Sequence, residues 1–155
     1  NKLPIILPEM ENRNVQFIES VPDTQMVFVG VEGGLLRSTD LGTIFKFVIH
    51  EPLSGGKGYP YIGAFLPVAS KPGTIVVGGF DKAHGRPYLA WSPDNGASWN
   101  DVSKLVPGYD NAGEDEHGVG AVSAIVEDPQ GRILVVVNER SDGQGRLMVL
   151  NPGSN

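Results

Sequence analysis

Three stretches of this chain can be laid over one another, and that internal repeat limits the fold more than any other feature. In the first, residues 15–21 (VQFIESV) lead through Pro22-Asp23-Thr24-Gln25 into residues 26–30 (MVFVG). In the second, residues 61–68 (YIGAFLPV) lead through Ser70-Lys71-Pro72-Gly73 into residues 74–78 (TIVVG). In the third, residues 121–126 (AVSAIV) lead through Asp128-Pro129-Gln130-Gly131 into residues 133–137 (ILVVV). Each is a β-rich run, a tight turn bearing Pro or Gly, and a second β-branched run, the pattern of a β-hairpin. A polar stretch then leads to a third short strand, at residues 35–37, 87–91 and 146–150, and in the first two units to a fourth, at 46–49 and 100–103.

Composition agrees with this reading. The 21 glycines and 12 prolines among 155 residues are too many for long uninterrupted helices and, lacking a short period, do not indicate collagen or disorder. The length suits one ordinary domain, which the repeat divides into about three units. With 12 Lys and Arg against 18 Asp and Glu, the net charge of -6 makes a polyanion a poor partner, so no nucleic acid is expected. The absence of cysteine excludes a disulfide framework, a thiol nucleophile and a cysteine metal site. Apolar runs such as residues 133–137 fall far short of the roughly 20 residues that span a bilayer, so no membrane insertion is expected. The chain opens on Asn1 rather than Met, and a longer or processed parent is the expectation.

A second, distinctive turn lies between the third and fourth strands of the first two units: residues 38–45 (STDLGTIF) and 92–99 (SPDNGASW). Asp40 and Asp94 stand 54 positions apart, close to the length of about 40–50 residues of a four-stranded propeller repeat. The residue types suit a turn. The Asp carboxylate accepts hydrogen bonds from backbone N–H groups across its own turn, and Gly42 and Gly96 supply positive φ. Ser38 and Ser92 compete for the same local donors, and Phe45 and Trp99 each bring apolar area of about 150–250 Å² to wedge against the sheet. These eight residues are expected to build the fold and not to perform chemistry.

The turn resembles the Asp-box, or BNR repeat, with its pattern Ser/Thr-x-Asp-x-Gly-x-Thr/Ser-Trp/Phe. Residues 92–99 match every specified position, residues 38–45 depart once at Ile44, and the third unit carries no box. The resemblance implies an all-β chain, a β-propeller of four-stranded antiparallel blades. Residues 1–155 then form a single partial propeller of about three blades, at about 14–50, 58–104 and an incomplete 119–155. Asp-box propellers include sialidases, xyloglucan-active glycoside hydrolases, sortilin-type receptors, photosystem assembly factors and many surface or virion proteins, so the resemblance does not choose between enzyme and binder. A sialidase is expected to carry an Arg-Ile-Pro motif near its start, and residues 3–9 (LPIILPE) carry none. Propellers close with about 4 to 8 blades, so the rest of the ring is expected from the same longer chain or from copies of this one.

In an up-and-down unit the connections alternate between the two ends of the sheet. The tight hairpins and the Asp-boxes are therefore expected at one end, and the longer loops, at 32–34, 50–60, 81–86, 106–118 and 138–145, at the other, where functional loops belong. That end holds His50, His84 and His117 and the ligand-binding candidates Arg86, Arg140, His84, Tyr59, Tyr109, Asp81 and Asp142. Arg86 and Arg140 can aim at one carboxylate or pair with Asp81 and Asp142 beside them. Asp110, Glu114, Asp115 and Glu116 are weak cation candidates without the spacing of a calcium loop. Residues 54–58 (SGGKG) lack the Ser or Thr of a phosphate loop, and no nucleophile elbow or zinc-protease helix is present. No cofactor or metal is expected. The expected function is an interaction module that binds a glycan or a protein through its long-loop face, in an extracellular, cell-surface or virion setting. The alternatives are part of a secreted glycoside hydrolase, sialidase-like or xyloglucanase-like, and a surface or virion assembly component.

Overall fold

Each strand pairs with its neighbour in the chain, and this gathers the protein into three successive sheet units. The computed structural model describes residues 14–50, 60–81, 84–111, 120–138 and 145–153. Unit one is β1 (Val15–Ser20), β2 (Val27–Val31), β3 (Gly34–Ser38) and β4 (Lys46–His50); unit two is β5 (Pro60–Pro67), β6 (Ile75–Asp81), β7 (Arg86–Ser92) and β8 (Asn100–Asp101). Unit three is β9 (Val122–Glu127), β10 (Ile133–Asn138) and β11 (Gly145–Leu150). Pairing within every unit is antiparallel. A single parallel pair, Gly34 with Tyr61, joins β3 to β5. The chain is thus all-β with antiparallel and mixed sheets, and among the described residues no helix is long and apolar enough to cross a membrane.

Strand alternation sends side chains to both faces of each sheet, and units one and two pack through those faces. Val21, Phe28 and Leu35 of unit one share a buried cluster with Ile62, Ile75, Val77 and Ala90 of unit two. On the opposite face of unit two, Ala64, Val68, Val76 and Leu89 pack with Val122, Ile125, Ile133, Val135 and Val137 of unit three. A third cluster, Val29, Val31, Leu36 and Phe45, lies on the other side of unit one. Phe28 is fully buried between the units, with its ring 5.1 Å from that of Phe65, and Gly96 leaves room for it, since a Cβ there would lie 2.9 Å from the Phe28 ring.

Two sequence expectations need correction. Superposing the apolar runs puts Ile133 level with Met26 and Thr74. The hairpin register instead pairs Ser20 with Val27, Pro67 with Ile75 and Glu127 with Ile133, so Arg132 is the true counterpart of Met26 and Thr74. A one-residue slip exchanges the two faces of a strand, and in consequence Leu134 and Val136, not Val135 and Val137, correspond to Phe28 and Gly30. Arg132 is polar and carries no strand signal; its Nε donates to Asp128 Oδ2 at 2.6 Å, which closes the turn. The fourth strand of unit two also ends early, at Asp101, where the Asp101 carboxylate accepts from Ser103 N at 2.9 Å and starts a 3-10 turn, Ser103–Leu105.

The two Ser-x-Asp turns share one hydrogen-bond pattern. The Ser38 hydroxyl donates to Asp40 Oδ1 at 2.6 Å and accepts from Gly42 N at 2.9 Å; Asp40 Oδ1 then accepts from the N–H groups of Thr43 and Ile44. Ser92, Asp94, Gly96, Ala97 and Ser98 repeat it. The serine is thus the buried hub of the turn and not a competitor of the aspartate. Backbone bonds from Leu41 N to Gln25 O and from Asn95 N to Gly73 O tie each turn to the hairpin of its own unit, so both kinds of turn occupy one end of the sheets. Trp99 packs against the cluster that contains Phe28. The units are also joined at this end, where Arg37 Nη1 donates to Asn95 O at 2.9 Å and Glu127 accepts from Ala69 N at 2.7 Å.

Two outcomes are expected. Phe28→Ala removes the ring that fills the joint between units one and two, and should cost about 3–5 kcal/mol, read as a lowered denaturant midpoint; an unchanged midpoint would show that the joint does not depend on it. The second concerns acid. Hydrogen bonds from the Ser98 hydroxyl, the Ser98 N–H and the Ser92 hydroxyl hold the Asp94 carboxyl at about 2, below its ordinary 3.8. A depressed folded value stabilises the fold above the unfolded value, and that contribution is lost as the pH falls from about 4 toward 2. Ser98→Ala should raise the Asp94 value and flatten this acid dependence, as followed by carboxyl-carbon NMR.

Candidate functional site

The end of the sheets opposite the Ser-x-Asp turns is built on the β6–β7 hairpin. Asp81 and Arg86 are the last pair of its ladder, and Gly85, at φ 63°, turns the chain between them. The second arm comes from the segment after β8. Ser103 Oγ accepts from Leu89 N at 2.9 Å, and Val106, 2% exposed, anchors the segment in the core between units two and three. From there Tyr109 N donates to Val106 O, and a second 3-10 turn, Tyr109–Asn111, delivers the Tyr109 ring beside Arg86.

Arg86 and Tyr109 form the centre of the site. The guanidinium carbon lies 4.9 Å from the Tyr109 ring centroid, in the geometry of a cation–π contact, and Nη1 donates to the Tyr109 hydroxyl at 3.3 Å. Arg86 Nε is buried without a hydrogen-bond partner. Among the described residues the partner of Arg86 is an aromatic ring and not Asp81, while the carboxylate shared with Arg140 involves a residue outside the described ones. Asp81 instead meets His84, with His84 Nδ1 and Asp81 Oδ2 2.7 Å apart. The structure thus brings four sequence candidates, Asp81, His84, Arg86 and Tyr109, to one end of unit two.

The remaining candidates divide. Asp110 is exposed on the same 3-10 turn as Tyr109. His50 ends β4 with its ring 4.7 Å from that of Phe47, so it belongs to a strand and not to a loop. Tyr59, Arg140, Asp142, Glu114, Asp115, Glu116 and His117, and the Gly-rich residues 54–58, lie outside the described residues. Among the described residues no group of three His, Asp or Glu side chains is gathered as metal ligands.

The opposite end, where the sequence places only structural turns, carries two clefts. One, of about 480 Å³, lies between the hairpin turns of units one and two and is walled by Val21, Pro22, Pro67, Pro72 and Ile75, with Thr24 and Asn95 polar. The other, of about 360 Å³, occupies the same place between units two and three, beside Ser70, Lys71 and Gly153. For the first of them the sequence carries a signal, the prolines Pro22, Pro67 and Pro72 at and beside the two hairpin turns.

Chemically, the loop end offers a planar cation backed by an aromatic ring, with an acid and an imidazole beside it. Such a cation takes a carboxylate in a bidentate pair. No protein-family model, no curated protein and no solved structure matches the chain.

Proposed function

We propose that the chain is part of an Asp-box β-propeller and serves as an interaction module, binding a glycan or a protein through its long-loop end. The propeller reading is supported by the two Ser-x-Asp-x-Gly turns, which use the same hydrogen bonds at the same point of two successive four-stranded units. Stacking of three units face to face agrees with it. The binding reading rests on one observation, Arg86 held over Tyr109 with Nε buried and unpaired. A charge placed this way matches a ligand carboxylate, and the group proposed for recognition is the acid of an acidic sugar or of a peptide side chain. His84 and Asp81 stand beside it to meet neighbouring hydroxyls. An extracellular or surface setting suits such a module.

A glycan array that includes acidic and neutral sugars tests the reading. Binding should favour the carboxylate-bearing members, and Arg86→Ala should weaken it about 10-fold to 100-fold, the range of a hydrogen-bonded charge contact. Arg86→Lys should not restore it, because an ammonium lacks the planar fork. Equal binding of neutral sugars, or an indifferent Arg86→Ala variant, would overturn the assignment. Turnover of fluorogenic glycosides would move the chain to the hydrolases instead.

A further inference from the structure

The Ser-x-Asp turn of unit two contains the only Asn-Gly pair in the sequence, Asn95-Gly96. Such a pair is chemically unstable. Because glycine has no side chain to obstruct it, its backbone nitrogen can reach the side-chain amide carbon of the preceding Asn and close a succinimide ring. The N–Cγ bond forms and the bond from Cγ to the amide nitrogen breaks. The backbone proton passes to the departing nitrogen, which leaves as ammonia, and water then opens the ring to aspartate or isoaspartate. Asparagine is favoured at the positive φ of 57° found here, which accounts for Asn95 in the turn. Unit one has Leu41 at the same place in its own turn, at φ 60°, so this chemistry belongs to unit two.

The fold locks the nucleophile and leaves the amide open. Gly96 N donates to Ser92 Oγ at 2.7 Å, and Ser92 is fully buried. Gly96 is itself buried against Phe28, so close that a Cβ would lie 2.9 Å from the ring. Asn95 is pinned on both sides: its N–H donates to Gly73 O at 2.8 Å, and its carbonyl accepts from Arg37 Nη1 at 2.9 Å. To react, the Gly96 nitrogen must release its proton and swing onto Cγ, and these bonds oppose both movements. The Asn95 side chain is differently placed. It is half-buried on the wall of the cleft of about 480 Å³ between the hairpin turns of units one and two, where water reaches it. Arg37 belongs to unit one, so the lock spans the joint between the units.

We propose that Asn95 is a modification site gated by the joint between units one and two. While Arg37 and Ser92 hold the turn, Asn95 keeps its amide; opening of the joint frees the Gly96 nitrogen and lets Asn95 convert to aspartate and isoaspartate. Loss of ammonia makes the change one-way. Either product places a negative charge next to Asp94. Isoaspartate also routes the backbone through one extra carbon, in a turn where Gly96 has no room to shift against Phe28. The carbonyl that met Arg37 then becomes a free carboxylate, outside the backbone that continues to Gly96. The joint cannot close again as it was, so a transient opening is recorded at a single residue.

Peptide-mapping mass spectrometry of the full chain, held in mildly alkaline buffer with and without unfolding urea, follows the loss of the Asn95 amide. The rate in urea is the unprotected one. The folded chain should react at least about 10-fold more slowly, because a reaction confined to the open form is slowed by the fraction that is open. Arg37→Ala removes the bond across the joint and should speed the folded rate about 10-fold, the worth of one charged hydrogen bond. Arg37→Lys restores a charged donor and should bring the rate back toward that of the unsubstituted chain, which separates loss of the bond from misfolding. Arg132→Ala loosens the hairpin of unit three, away from this joint, and should leave the rate unchanged. Circular dichroism checks that each variant keeps its strands. An Asn95 amide that persists in urea, a folded chain as fast as the unfolded one, an Arg37→Ala variant no faster than its parent, or equal acceleration by Arg132→Ala would overturn the proposal.

Discussion

β6 is apolar on both faces, and the rest of the structure depends on that. Ile75 and Val77 point to one side and Val76 and Gly78 to the other. A strand of this kind needs cover on both faces, as the inner strands of doubly covered sheets do. Phe28 and Leu35 of unit one supply one cover, and Val122, Ile125 and Val135 of unit three the other. The approach is close enough that size matters at single positions: a Cβ on Gly78 would collide with the Val122 side chain, and one on Gly79 with the Tyr61 carbonyl. Unit two is therefore the centre of the molecule, and its neighbours are held by shape as well as by apolar area.

Stacked sheets stay in register only if their strand ends are fixed, and the Ser-x-Asp turns do this. A buried hydroxyl and an exposed carboxylate together satisfy the N–H groups that a sharp turn would leave unpaired. The carboxylate keeps its charge at the surface while its oxygens are committed to the turn. Asp40 is held below the usual range first by the Ser38 hydroxyl and then by the Ile44 N–H. Asp94 gains the Ser98 hydroxyl in addition. Glu127 extends the same device across a joint, held low first by the Ser70 side chain and then, against burial, by the Ser70 and Ala69 N–H groups of the preceding unit.

Much of this was legible in the sequence. The hairpins, the third strands and both Ser-x-Asp turns lie where the repeat places them, because β-branched runs bounded by Pro and Gly admit few other arrangements. What escaped was set by single polar residues. Arg132 stands just before the ladder, at the place of Met26 and Thr74, but reads as loop, and with it hidden the third unit slips by one. Asp101 ends β8, and Ser103, which reads as strand, opens a 3-10 turn. Leu41 and Asn95 adopt positive φ without being glycine, held there by bonds to Gln25 and Gly73 that no local pattern announces. At the loop end, the sequence put Arg86 and Tyr109 on the same side, but their contact depends on the route of residues 102–109 across β7. Ser103 and Val106 determine that route, at positions with no periodic signal.

Two buried side-chain N–H groups among the described residues lack partners, Trp99 Nε1 and Arg86 Nε, and they differ in what compensates them. Leaving such a group unpaired costs about 1–3 kcal/mol. For Trp99 the compensation is visible: the ring packs in the cluster that holds Phe28, and a neutral indole carries no further penalty. Arg86 is charged, and the interactions that hold it among the described residues are the Tyr109 ring and one long hydrogen bond. An uncharged side chain of similar length, such as methionine, would cover the same ring without an orphaned donor or a partly desolvated cation. Packing alone therefore does not account for arginine at this position, and what remains is its charge, placed at the end of the sheets opposite the Ser-x-Asp turns.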